Sequence, residues 1–594
     1  MKLFEVSWEV CNKVGGINTV LKSKSEFVQK KFGDDYFLIG PFFKEKSRGE
    51  FLQRPVPDSF KTVFERLKEQ GIFCRFGNWL IPGRPNAILI ELSESFLGRA
   101  PEFKGKYWDK YKIDSLNSDF YDYDMPILWS TAVGILIEEF YNENPKENFV
   151  VHLHEWLSAG AALYLRLDNS KTSSKIPLVF TTHATTLGRA VSGTGVNLYD
   201  IIEKINPDEE SYRLGVHTKH QTERAVANLV DVFSTVSEIT GYESKLFFGK
   251  EPDIILPNGI NPLETSIEEL LMMHREFRDK MRYFLTYMFF PYYPIDLDES
   301  LTFFLAARYE FKAKGIDLYL DALAKLNEML ISKKSKKTIF AFLFVPAGGR
   351  AIREEIVENR ELINDFADKL FSSKNQILNR LFQCALAGKD ICLSKLVSPE
   401  ILRELKKLRL YFNKEGNPPV ITHYINYEDK DPILNKLKQL NLLNQKESKV
   451  KVIFYPIYLT GKDGLLNLDY SETIIGSHFG VFPSIYEPWG YTPVESAMRA
   501  VPAVTSDLSG FGRYLINSGK EDNGIFVLRL ANKSYDEQVN ELAKLMFRFS
   551  TLKRDKRVDY KIKSYKTALM FSWDNLVENY FKAYDLAQDL VSQK

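Results

Sequence analysis

The stretch Ser484-Ile485-Tyr486-Glu487-Pro488-Trp489-Gly490-Tyr491-Thr492-Pro493-Val494-Glu495-Ser496 decides how the chain reads. The apolar run before it, Gly480 to Pro483, reads as a buried strand. Thr492-Pro493-Val494-Glu495 then reads as a helix start: Thr caps, Pro fits the first turn, and a Glu three residues after the Thr completes a capping box. Between strand and helix lies a loop with one carboxylate, Glu487, and one flexible residue, Gly490. Loops at strand ends of an open α/β sheet are where ligands bind, and the unpaired N–H groups of a helix start suit a phosphate. Glu495, taken alone, is a capping residue. Glu487, held by Pro488 and Trp489 in a loop with no helix of its own, reads as functional.

Working outward, Leu301 to Ala307 is a strand that delivers Arg308, with Lys314 beyond it and a helix from Gly315. Two cations bracketing a strand-to-helix loop suit a diphosphate. Near the start, Leu3 to Val6 reads as a strand and Ile17 to Lys31 as an amphipathic helix. The loop between them ends Lys13-Val14-Gly15-Gly16, where paired glycines let a backbone approach an anion and Lys13 adds charge; a plain turn is the alternative. Tyr36 to Pro41 and Pro85 to Leu92 are further strands. Phe149 to Leu153 ends in His152-Leu153-His154-Glu155-Trp156; with no third ligand nearby in sequence, a cleft-lining or core role is favoured over a metal. Ile176 to Thr182 closes on His183, with Gly188-Arg189 just beyond, which suits an anion or a sugar, or a satisfied histidine at a domain edge. Val232 to Val236 and Asp253 to Leu256 lead to Pro257-Asn258-Gly259-Ile260-Asn261, an interdomain turn.

After a helical stretch from Ser266 to Tyr287 the alternation restarts. Thr338 to Val345 and Val450 to Tyr455 are strands separated by a long interval with periodic helices, one of them Pro399 to Phe412, capped by Ser398. From Ser534 the pattern is helical to the end, with a basic segment Lys553-Arg554-Asp555-Lys556-Arg557 that reads as a solvated face. The strand–helix alternation runs twice, before and after about Asn261. The fold class is therefore α/β, two Rossmann-like domains facing a cleft.

Composition narrows the function classes. The chain has 594 residues, enough for two or more domains, and its 44% apolar and 26% charged content is that of a globular protein. Lysine plus arginine (79) balances aspartate plus glutamate (78), so nothing points to nucleic acid or a membrane. Met1-Lys2-Leu3-Phe4-Glu5-Val6 does not read as a signal peptide, the aromatic run Tyr283 to Ile295 is too short to span a bilayer, and four scattered cysteines form no metal or disulfide pattern. Cytoplasm is the expected location.

Taken together, FEVSWEVCNKVGGINTVL, HLHEW, FTTHATTLGR, DVFSTVSEIT, LPNGIN, RYEFKAKGID, PPVITH, NLDYSE, GVFPSIYEPWGYTPVE and DLSGFG make the chain resemble glycogen synthases of the eukaryotic type, glycosyltransferase family 3, over nearly its full length. The resemblance implies a GT-B fold and a metal-independent retaining transferase without cofactor. It would move glucose from UDP-glucose to the 4-OH end of glycogen or another α-1,4-glucan. By the same resemblance Glu487 sits by the donor glucose, Glu495 reaches the nucleotide ribose, and Arg308 and Lys314 bind the diphosphate. Tyr470 stacks on uracil. Lys13, Gly15, Gly16, His183, Arg189, Asn258 and His478 line the donor cleft, and Gly490, Tyr491 and Thr492 offer backbone groups to phosphate. The readings that compete are a GT-B enzyme with another donor or a small-sugar acceptor, and a catalytically silent glycan-binding relative.

The resemblance also implies domains at 1–261 and 262–571, a helical insertion near 350–417 that builds a homo-oligomer, a tetramer, and a last helix (572–594) that crosses back to the first domain. The chain starts at its first strand and ends soon after Trp573, so terminal phosphorylation extensions are expected to be absent. In the arginine-rich regulatory helix only Arg554 and Arg557 remain arginine, Lys561, Lys563 and Lys566 stand where others would be, and Asp555 replaces one. Arg554, Arg557 and Lys561 are candidate allosteric residues, and weak or no activation by glucose 6-phosphate is expected.

Overall fold

Seven consecutive buried residues, Ser300–Ala306, form the central strand of a parallel sheet, apolar on both faces because helices cover both. The computed structural model describes residues 1–167 and 175–593. It contains two sheets. The first runs through β1 (Lys2–Val6), β2 (Tyr36–Pro41), β3 (Phe51–Gln53), β4 (Ile72–Trp79), β5 (Asn86–Leu92), β6 (Phe149–His154), β7 (Leu178–Thr182), β8 (Val232–Thr235) and β9 (Ile254–Ile255). Its order is β3-β4-β5-β2-β1-β6-β7-β8-β9, parallel except for the antiparallel edge made by β3 and β4. That edge was not anticipated from the sequence.

The second sheet holds β10 (Ser300–Ala306), β11 (Thr338–Phe344), β12 (Val450–Tyr455), β13 (Phe479–Val481), β14 (Ala503–Ser506) and β15 (Ile525–Leu528), in the order β12-β11-β10-β13-β14-β15. Helices Ile316–Ser332 and Tyr535–Ser550 pack together on one face, and Ile267–Phe289 with Tyr470–Gly476 on the other. Both sheets are doubly wound, each reversing its winding next to its first strand. The reversal falls between β1 and β6 in one and between β10 and β13 in the other.

Two chain passages join the sheets. Gly259 lies against Trp573, where an added Cβ would sit 2.6 Å from the indole, and Ile260 exchanges backbone hydrogen bonds with Phe571 and Trp573. Beyond this crossing the helix Trp573–Ser592 packs on Ile17–Phe32 of the first sheet's side, and the Trp573 indole N–H donates to Ser23 Oγ at 2.8 Å.

Helices Glu354–Ser372, Lys374–Leu386 and Pro399–Phe412 project from the second sheet's side. Lys374–Leu386 buries none of its residues, and Phe371, Phe382, Leu386, Leu410 and Tyr411 are exposed. Among the described residues no helix is long and apolar enough to cross a membrane.

Candidate active site

The loops that follow β10 and β13 leave the sheet at its reversal, where open α/β sheets form their ligand crevice. The first carries Arg308 and Lys314, the second Glu487 and Gly490. The Ala313 carbonyl accepts the N–H groups of Ile485 (3.0 Å) and Tyr486 (3.2 Å), clamping one loop to the other. The clamp brings Lys314 Nζ to 2.5 Å from Glu487 Oε2. Glu310 lies between the cations, 3.0 Å from Arg308 and 4.0 Å from Lys314. Glu310 was not among the expected site residues, although its i,i+4 spacing to Lys314 is a sequence signal. The Lys314 side chain is 11% exposed and that of Arg308 70%, so one cation is fixed and the other reaches into open space.

Glycine makes this crowding feasible. Gly315 has φ +64°, and a Cβ there would lie 2.1 Å from the Pro483 carbonyl oxygen. It opens helix Ile316–Ser332 directly against the Glu487 loop. Gly490, with φ +108°, does the same for helix Tyr491–Met498. The expected Thr492 cap and capping box are therefore wrong: the left-handed glycine starts the helix two residues earlier, Thr492 lies inside it, and no side chain caps it. Two uncapped helix N-termini thus flank the Lys314–Glu487 pair, each a locus of partial positive charge. Glu495, released from capping, accepts a 2.9 Å hydrogen bond from the Tyr470 hydroxyl. Tyr470 starts helix Tyr470–Gly476, which has a true capping box from Asp469 and Glu472.

The loop Ser509–Gly512 holds Glu487 from behind. Gly510 N–H donates to the Glu487 carbonyl at 2.9 Å and Phe511 N–H to the Trp489 carbonyl at 2.7 Å. A Cβ on Gly510 would lie 2.1 Å from the Pro488 oxygen. From the first sheet's side, Ser237 Oγ donates to the Pro488 carbonyl at 2.5 Å, so this loop touches both halves of the molecule. Tyr486 reaches across to Glu243 at 3.4 Å, which also accepts from Thr185 (2.5 Å) and Tyr199 (2.7 Å). Burial pushes the Glu243 carboxyl up to about 7.

On the facing edge, His183 follows β7. Its N–H and that of Ala184 donate to Glu155 Oε1 at 3.0 and 3.1 Å. Glu155 has φ +66°, a strained conformation for a residue with a side chain, and burial pushes its carboxyl up to about 7 against the pull of Arg189. Arg189 is exposed on helix Thr186–Gly193. Lys13, Gly15 and Gly16 lie exposed at the start of Ile17–Phe32, where the Glu9 carboxylate accepts the Gly15 and Asn18 N–H groups at 2.8 and 2.9 Å. An anion expected at this glycine pair therefore meets a carboxylate already in place. Asn258 is buried beside the interdomain crossing, its Oδ1 without a partner among the described residues.

His478 is not where the resemblance implied. It precedes β13, at the amino end of the strands, and its Nδ1 accepts the Thr302 N–H at 3.1 Å. Glu487 follows the same strand at its other end. The His478 ring packs 5.1 Å from His274, and Lys561 Nζ lies 3.4 Å from His274 Nδ1. Burial pushes Lys561 down to about 7, with Arg557 and Arg278 adding to the effect. Arg554 is exposed and Arg557 half-buried on the same helix, Arg554–Leu569.

Two Rossmann-like sheets facing one another, with charged loops at a winding reversal, define a glycosyltransferase of the GT-B fold. The starch synthase IV catalytic domain from Arabidopsis thaliana, solved with ADP and acarbose, shares this fold with TM-score 0.51 and 14% identity, covering 100% of this chain and 99% of that one. The family model described as glycogen synthase matches residues 5–592, and the chain belongs to that family. It is 35% identical to glycogen [starch] synthase isoform 2 of Saccharomyces cerevisiae over 98% of this chain and 86% of that one. It is 33% identical to the glycogen [starch] synthase of Neurospora crassa (98% and 83%), and 32% to the human liver form (98% and 83%).

Proposed function

We propose that this retaining glucosyltransferase takes UDP-glucose as donor and the 4-OH end of an α-1,4-glucan as acceptor. The observation that carries the reading is the Lys314–Glu487 pair between two glycine-started helices at the β10–β13 reversal. Negative charge builds on the departing diphosphate in such a transfer, and Arg308, Lys314 and the first-turn N–H groups near Tyr491 and Thr492 would stabilise it. Glu487 would face the oxocarbenium-like carbon, its carboxylate oriented by Lys314 and by the Gly510 N–H on its own carbonyl. Tyr470 and Glu495, already joined, would take the uracil and the ribose. His183 and Arg189 would close over the sugar from the first domain, with the crossings at 257–261 and 571–573 as hinge.

The exposed apolar helices between 354 and 412 support a homo-oligomer, a tetramer, since a monomer rarely leaves so many large apolar side chains in water. Measuring UDP release from a panel of nucleotide sugars, with and without glycogen, tests the donor and acceptor together. Glucan-dependent release from UDP-glucose is expected; turnover with ADP-glucose alone would reject the donor.

A further inference from the structure

Behind His183 a line of buried polar side chains runs under helices Ile17–Phe32 and Trp573–Ser592. Glu5 on β1 and Lys24 on the first of these helices are both 0% exposed and form an ion pair. Glu5 Oε2 also accepts the Tyr36 hydroxyl at 2.5 Å, and Lys24 Nζ stands 4.0 Å over the Tyr580 ring. Glu5 Oε1 lies 2.7 Å from His154 Nε2, and His154 Nδ1 lies 2.9 Å from His183 Nε2. His152, beside them, is engaged separately with Tyr584 (3.0 Å) and Thr181 (2.7 Å). Glu5, His152 and His154 lie close enough together to hold a metal ion, but the Lys24 ammonium and the Tyr36 hydroxyl already contact the carboxylate.

The geometry points to Glu5 as a positioning residue for glucosyl transfer: through His154 it fixes the tautomer in which His183 presents an unprotonated Nδ1, a hydrogen-bond acceptor for a hydroxyl of the transferred sugar. The Lys24 ammonium and the Tyr36 hydroxyl hold Glu5 ionised, and an ionised carboxylate only accepts, so His154 Nε2 carries the hydrogen. Burial keeps His154 neutral, which leaves its Nδ1 as acceptor. His183 Nε2 must then donate to it. Burial keeps His183 neutral as well, so its Nδ1 has a lone pair and no hydrogen. His183 Nδ1 has no partner among the described residues, and it is not among the fully enclosed polar atoms. A hydroxyl donor fits such an atom, whereas a phosphate oxygen would be repelled by it. Without Glu5 nothing in the line distinguishes the two tautomers.

This inference rests on His183 facing the donor, so the test has one arm that needs no donor. With eight histidines in the chain, 15N-imidazole labelling gives few signals, and the signals lost in His183→Asn identify that ring in a solid-state spectrum. The expected spectrum shows neutral His183 protonated on Nε2 alone; protonation on Nδ1 in the unaltered protein would overturn the relay. In Glu5→Gln/Lys24→Met, with no ammonium on the oxygen position that faces His154, the amide can donate to His154 Nε2 while its oxygen accepts the Tyr36 hydroxyl, so His183 should become Nδ1-protonated. Glu5→Gln alone should keep His183 protonated on Nε2, because the Lys24 ammonium contacts the same Glu5 oxygen as His154 and holds the amide oxygen there.

The second arm uses UDP-glucose and its deoxy analogues. The unaltered enzyme should lose about tenfold to a hundredfold in kcat/KM for one missing hydroxyl, the range set by leaving one buried hydrogen-bond partner unpaired. The double variant should lose most of that discrimination while discriminating at the other hydroxyls as before. Unchanged discrimination in a variant whose His183 tautomer has flipped would overturn the sugar contact. An enzyme inactive with every UDP-sugar but with the expected spectrum would refute the donor reading and leave the relay standing.

Discussion

At the β10–β13 reversal, charge is offered outward: Arg308 is 70% exposed, and the Lys314–Glu487 pair lies at the crevice between two uncapped helices. At the β1–β6 reversal of the other sheet the Glu5–Lys24 pair is 0% exposed, tied to Tyr36 and His154 and roofed by the C-terminal helix. The topology is the same, but the helix Trp573–Ser592 packs against β6, β7 and β8 of the sheet that carries Glu5. A pair open to a ligand can exchange partners when a diphosphate arrives, whereas a pair sealed at low dielectric can only hold its neighbours in place. Binding chemistry therefore concentrates on the second domain and orientation on the first.

The sharpest way to break this contrast is through backbone. In Gly510→Ala the new Cβ meets the Pro488 oxygen 2.1 Å away and must shift the Glu487 loop. Turnover should fall by about a hundredfold, as an ångström of misplacement can cost that much. Gly249→Ala is the control in the first domain: its φ is +67° but nothing lies within 4 Å. It should cost about 1 kcal/mol of stability and leave turnover unchanged. Thermal melts with initial rates separate the two.

Arg308→Ala comes next. The side chain is exposed and, among the described residues, paired only with Glu310, so folding should be unaffected. Donor affinity and turnover should fall by about tenfold or more, for loss of a charge-assisted contact to the diphosphate. Calorimetry with UDP-glucose and initial rates check this; an unchanged Kd and kcat would remove Arg308 from the donor site.

The buried acids of the first domain give a pH signature. Glu243 has its folded pKa raised to about 7 from an ordinary 4.5, so the folded state retains a proton that the unfolded chain releases. Its contribution is present below about pH 4.5 and is lost as pH rises through 7, with a slope of up to roughly 1.4 kcal/mol per pH unit. Denaturant midpoints for the unaltered protein and Glu243→Gln should converge at low pH and separate toward pH 7, the variant losing less. Parallel curves would show that Glu243 does not titrate in this window.

The smallest expected effect is regulatory. Asp555 is exposed, and Lys561, with its pKa lowered to about 7, carries less than a full charge at neutral pH. Activation by glucose 6-phosphate should be weak or absent in a titration followed by UDP release. A several-fold rise at sub-millimolar effector would show that these lysines suffice.

Much of this was legible in local pattern. β12 and the helix Pro399–Phe412 with its Ser398 cap match their sequence reading residue for residue, because burial and capping are written in adjacent residues. Arg308, Lys314 and Glu487 could be picked from their places at strand ends. The capping box at Thr492 failed because its pattern was present but the backbone conformation of Gly490 overrode it. His478 failed because proximity in sequence to β13 says nothing about which end of the strand a ligand occupies. The link from Glu5 to His154 spans 149 residues and appears only when β1 and β6 pair.

If the Lys314–Glu487 pair acts on the transition state, Glu487→Gln exposes it, with turnover and UDP-glucose affinity measured on the same preparation. Turnover should fall by at least about a hundredfold with donor Kd largely kept, since the lost interaction is made mainly in the transition state. A Glu487→Gln enzyme that turns over at the unaltered rate would contradict it and remove the carboxylate from the mechanism.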